Sequence, residues 1–108
     1  MFNKKNRYCS QGINNSISIR LQLLLWEKID NLKEKTTLDY LQIFRLKKEN
    51  NSLIIEHEQE VPQYKATYNL NCSGILIDED LKIYVIDDGS YSTCLLYTSP
   101  SPRDYAAS

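Results

Sequence analysis

The chain carries one histidine, one tryptophan and only three residues each of glycine, proline and cysteine. Each shortage removes a class of chemistry. One histidine, His57, cannot build a zinc site that needs several imidazole or thiolate ligands. Gly12, Gly74 and Gly89 stand far apart and form no phosphate-cradling loop. No cysteine pair has the C-x-x-C spacing of a zinc site or a redox motif. The longest apolar run, Leu23-Leu24-Leu25-Trp26, is far short of a membrane span. The start, Met1 to Asn6, has no apolar stretch after it, so no signal peptide is expected. Excess positive charge is missing too, because 13 Lys and Arg face 14 Asp and Glu. That balance argues against a general phosphate or nucleic-acid binder. The short basic cluster Lys4, Lys5 and Arg7 reads as a solvated, frayed start.

The end of the chain is unlike the rest. Cys94-Leu95-Leu96-Tyr97-Thr98-Ser99-Pro100-Ser101-Pro102-Arg103-Asp104 resembles one reading frame of a transposon-based sequencing-library adapter. Tyr105 to Ala107 fall where a sample barcode sits. Residues 94–108 are therefore read as an adapter-derived tail, and residues 1–93 as a single native domain. A domain of this size buries only roughly 60% of its unfolded surface, so association would help its stability. With Cys94 set aside, Cys9 and Cys72 remain. Two isolated cysteines in a small domain suggest buried thiols in a reducing, cytoplasmic compartment.

Hydrophobic periodicity predicts one long helix. Leu21, Leu24, Leu25, Ile29 and Leu32 recur at three- and four-residue spacing, on one stripe. Ser16 or Ser18 caps its start, and Lys33 and Lys35 suit its end. Leu23 and Trp26 lie off the stripe, which implies a wide buried face or a second contact. Strands are predicted over Arg7 to Ile13, Leu38 to Lys47, Leu53 to Gln59, Tyr64 to Leu70 and Lys82 to Asp87, with a closing segment Tyr91 to Thr93. Asn71-Cys72-Ser73-Gly74 reads as a loop and Asp88-Gly89 as a turn. The expected fold is α+β, with one long amphipathic helix packed on a mainly antiparallel sheet of about five strands. The strands around Ile43 and Val85 are apolar on both faces. One helix covers one face only. The other needs a curled sheet, a second subunit or a partner.

Several segments resemble a known family. They are Asn6-Arg7-Tyr8, Leu21-Gln22, Leu25-Trp26 and Ile29-Asp30, then Asp39-Tyr40-Leu41-Gln42-Ile43-Phe44 and Gln59-Glu60-Val61-Pro62-Gln63-Tyr64, and last Val85-Ile86-Asp87-Asp88-Gly89-Ser90-Tyr91-Ser92-Thr93. Asp-Tyr-Leu-Gln and Ile-Asp-Asp-Gly are the most specific pieces. The chain resembles the small cytosolic proteins of low-GC Gram-positive bacteria grouped as the staphylococcal-type domain of unknown function 960. Family members continue a few residues past this threonine, which implies a native end different from the one present. The resemblance implies no catalytic residue and no cofactor.

Three constellations bear on chemistry. His57 with Asp87 or Asp88 is the enzymatic alternative, since a general base needs a group to orient it. A half-buried strand histidine and a hairpin turn are the plainer readings. Asp78-Glu79-Asp80 adds oxygens, but without the spacing of a calcium loop. Cys9 has Arg7 two residues away on one strand face, an arrangement that lowers a thiol pKa, although a structural thiol is the plainer reading.

Of eight tyrosines, Tyr97 and Tyr105 belong to the tail. Tyr8, Tyr40, Tyr64, Tyr68, Tyr84 and Tyr91 lie on predicted strands or their ends. Tyr suits core edges and interfaces, and a row of rings on a sheet also stacks bases. Single-stranded nucleic-acid binding is thus a further alternative, which the charge balance weakens. The leading expectation is a non-enzymatic protein-interaction module that self-associates as a homodimer or binds another protein. Its expected surface comprises Leu23, Trp26, Tyr40, Tyr64, Tyr68, Tyr84 and Tyr91. No metal, cofactor or membrane contact is expected.

Overall fold

Ser18 starts the long helix: its Oγ accepts a hydrogen bond from Leu21 N–H at 3.3 Å, as an N-cap does. A computed structural model describes residues 2, 5–49, 52–70 and 80–97. Its elements are β1 (Arg7–Cys9), α1 (Gln11–Ser16), α2 (Ile19–Lys33), β2 (Leu41–Glu49), β3 (Ser52–Gln59), β4 (Tyr64–Leu70), β5 (Leu81–Asp87) and β6 (Ser92–Tyr97). The Asn71–Gly74 loop, Asp78 and Glu79 lie outside the described residues.

The six strands form one sheet in the order β1-β6-β5-β2-β3-β4. β1 runs parallel to β6 and the other neighbours are antiparallel. The fold is therefore α+β, with one long helix on a mixed sheet. Two features differ from the expectation. The first strand stops at Cys9, because Ser10 Oγ caps a short helix by accepting from Ile13 N–H. The last strand runs on to Tyr97, four residues past the expected join at Thr93.

α2 buries Leu21, Gln22, Leu25, Trp26, Ile29 and Leu32. Trp26 therefore belongs to the buried face, which is wide. It packs under the Arg7 guanidinium, 4.9 Å from the ring centre. Leu23 points out and is 60% exposed. The core lies between α2 and the sheet face bearing Phe44, Leu46, Ile55, Ile83 and Val85. α1 sits on that same side, with Gly12 close to Leu96. The opposite face carries no described helix. Phe2 completes the core, its N–H donating to Asp87 Oδ2 at 2.8 Å. Its carbonyl accepts from Arg7 Nη2 at 2.9 Å, and Arg7 also pairs with Asp30.

Candidate functional site

His57 stands on β3 beneath the helix and is fully buried. Its ring stacks on Phe44 at 4.3 Å and meets Tyr64 edge-on at 5.7 Å. Nε2 lies 2.7 Å from Gln42 Oε1. The Gln42 amide nitrogen donates to Gln59 Oε1 (2.7 Å) and to the Asp39 carbonyl (2.9 Å). Gln42 Oε1 must then accept, so the histidine carries its proton on Nε2. Gln59 extends the relay by donating to the Thr37 and Pro62 carbonyls at 3.0 and 2.9 Å. Burial, with a smaller push from the Lys28 ammonium, lowers the His57 pKa to about 4. The imidazole is therefore neutral at pH 7, and its relay ties the turns on either side to the sheet.

Asp87 and Asp88 do not join it. Asp87 accepts from Phe2 N–H and from Gly89 N–H (2.9 Å). Asp88 accepts from Tyr91 N–H (2.8 Å) and Ser90 N–H (2.9 Å), and these bonds lower its pKa. Gly89, at φ 101°, adopts the left-handed conformation this turn requires. His57 pairs with Phe44, whereas Asp87 bonds Tyr40, on the far side of β2. Strand spacing and rise put the two side chains roughly 16 Å apart. The pairing that the enzymatic alternative needs is not assembled.

Among the described residues, no three His, Cys, Asp or Glu side chains gather to hold a metal. Cys9 faces Cys94 across β1 and β6, and both thiols are free. Its pKa falls to about 7 through the hydrogen bond with Cys94, against burial and aided by Trp26. Arg7 is engaged by Asp30 instead. A hollow of about 530 Å³ at the end of α2 is lined by residues 33–38 alone, from one turn. No described helix is long and apolar enough to cross a membrane.

The expected tyrosine surface divides between the two faces. Tyr64 and Tyr68 lie on the helix side, where the Lys28 ammonium sits 4.0 Å above the Tyr68 ring. Burial and the Tyr64 hydroxyl raise the Tyr68 pKa to about 12. Tyr84 lies on the bare face, opposite Ile43 and Leu95. Tyr8, opposite Thr93, shares that face and meets Tyr91 edge-on at 5.5 Å. Tyr40 is exposed beside the start of β2.

The bare face thus has two halves. Leu41, Ile43, Ile86 and Tyr84 make one apolar half with Tyr8 and, from β6, Leu95 and Tyr97. The Lys82 ammonium caps its edge, 5.4 and 5.2 Å from the Tyr84 and Tyr97 ring centres. Arg45–Glu58 and Lys47–Glu56 ion pairs make the other half. Tyr8 and Lys82 were missing from the expected set. Alternation along β5 placed Tyr84 and Ile86 together, but only the pairing with β6 and β1 brings Tyr8 alongside.

A family model described as "Staphylococcal protein of unknown function (DUF960)" matches residues 6–99. The chain belongs to this family. A crystal structure of a protein of unknown function from Enterococcus faecalis is similar at 30% identity and a TM-score of 0.75. That match covers 88% of this chain and 91% of the other. No curated protein matches. The family match continues past residue 93, as β6 does.

Proposed function

We propose that the chain is a non-enzymatic protein-interaction module, working in the cytoplasm through the bare face of its sheet. One observation carries this reading. An apolar half-face of Leu41, Ile43, Tyr84, Ile86 and Tyr8 has no described helix above it, while the other face is closed by α1 and α2. A partly open apolar patch rimmed by ion pairs has the make-up of a protein interface. Burial of the lone histidine and its distance from Asp87 support a role without catalysis. Division of the tyrosines between two faces, with a net charge of −1, speaks against stacked bases.

The test is a comparison of capture from a staphylococcal extract by the wild-type chain and by a Tyr84→Ser, Ile86→Ser double variant. Circular dichroism checks that the variant folds. A species held by the wild type and released by the variant is the expected result. The same species held equally by both would overturn the assignment of this face.

A further inference from the structure

The outer strand β4 offers a second surface. The Asp87 N–H donates to the Tyr40 carbonyl at 2.9 Å, which fixes the hydrogen-bonding phase of the β2–β5 ladder. Gln42, Phe44 and Leu46 turn their backbone groups to β5, so Ile43, Arg45 and Lys47 turn theirs to β3. On β3 the partners of those three, Glu58, Glu56 and Ile54, face β2. The remaining β3 residues face β4, where they meet Tyr64, Ala66, Tyr68 and Leu70. The N–H and C=O groups of Lys65, Thr67 and Asn69 are left pointing out of the sheet. Among the described residues no strand lies beyond β4.

Exposed edges are usually blunted by shortness, proline, a bulge or charge. The opposite edge, β1, is three residues long. β4 is seven residues long, pairs with β3 without interruption, and has one charged side chain, Lys65, near one end. We propose that β4 pairs with β4 of a second copy of this chain, antiparallel about a twofold axis through Thr67. This goes beyond the function proposed above, because it uses the sheet edge and not the bare face.

The side chains match this register. Thr67 stands opposite its own copy, and Lys65 opposite Asn69, so no like charges meet. On the helix side Tyr64 stands opposite Leu70, and Ala66 leaves room for Tyr68. Aromatic–aliphatic and Thr–Thr pairs of this kind favour antiparallel pairing. The outward groups supply about six hydrogen bonds between the copies. An unrelated extended peptide would share the backbone bonds but not this twofold match.

The test is size-exclusion chromatography with light scattering on the full chain over a concentration series. A dimer mass is expected at high concentration. Thr67→Pro removes the central outward N–H and leaves the ladder to β3 intact, so it should weaken the dimer at least about tenfold. Thr67→Asp should do the same by placing two carboxylates across the axis, and high salt should restore its dimer. The Tyr84→Ser, Ile86→Ser variant should remain dimeric. A wild type monomeric at every concentration overturns the proposal. So does a dimer that survives both Thr67 variants, or one lost only with the bare-face variant.

Discussion

Ile55 and Ile43 lie on neighbouring strands of one sheet and face opposite ways. Ile55 is fully sealed beneath α2. Ile43 has no described helix above it and is still only 9% exposed. Its neighbours across the strands are Glu58 on one side and Tyr84 on the other. Glu58 is held in place by Arg45. One face therefore excludes water with a second layer, and the other has no described helix above it.

The sharpest way to break this comparison is to truncate both isoleucines. Ile55→Ala opens a closed cavity and should cost about 3–4 kcal/mol in urea denaturation. Ile43→Ala should cost less than about half of that, because neighbouring stems and water reach the gap. Equal losses would mean that the bare face is as closed as the covered one.

Acid should act next most strongly, and through the covered face. The folded His57 pKa, about 4, lies below its ordinary 6.5. The unfolded chain thus binds the proton first. His57's contribution is complete above pH 6.5, shrinks as pH falls, and is gone below about 4. The loss should reach about 3 kcal/mol. His57→Phe should be less stable at pH 7, since Gln42 Oε1 loses its donor, yet its stability should fall less between pH 7 and 4. Parallel pH profiles for the two proteins would refute this assignment.

The smallest effect belongs to the ion pairs of the bare face. Arg45 and Glu58 side chains are 34% and 26% exposed, so solvent screens their attraction. Arg45→Met should change stability by less than about 1 kcal/mol, and the difference should shrink in high salt. A larger, salt-insensitive loss would show that the pair closes the face rigidly.

Local signals explain what could be read in advance. The three- and four-residue spacing of Leu21, Leu25, Ile29 and Leu32 identified α2, and alternation along β3 placed Ile55 and His57 on one face. The predicted first strand takes in only the start of α1, Gln11 to Ile13, and α1 itself escapes prediction because it buries a single residue, Ile13, and shows no helical stripe. β1 pairs in parallel with β6, far along the chain, and no local pattern encodes such a contact. The tyrosines divide between the two faces for a register reason. Tyr68 and Tyr84 both hold even positions, yet Tyr68 connects through Ile55 to Leu46, while Tyr84 faces Ile43. Alternation orders residues within a strand, and only the pairing between strands decides which alternating sets share a face.

The solitary imidazole also gives this protein a built-in reporter. With one histidine in the chain, its ring-proton NMR lines need no assignment by mutation. Stacked 4.3 Å from Phe44, those protons are shielded by the ring current. Their chemical shifts should move toward free-histidine values whenever the β2–β3 pairing opens at this point, so the integrity of that ladder can be followed without a label.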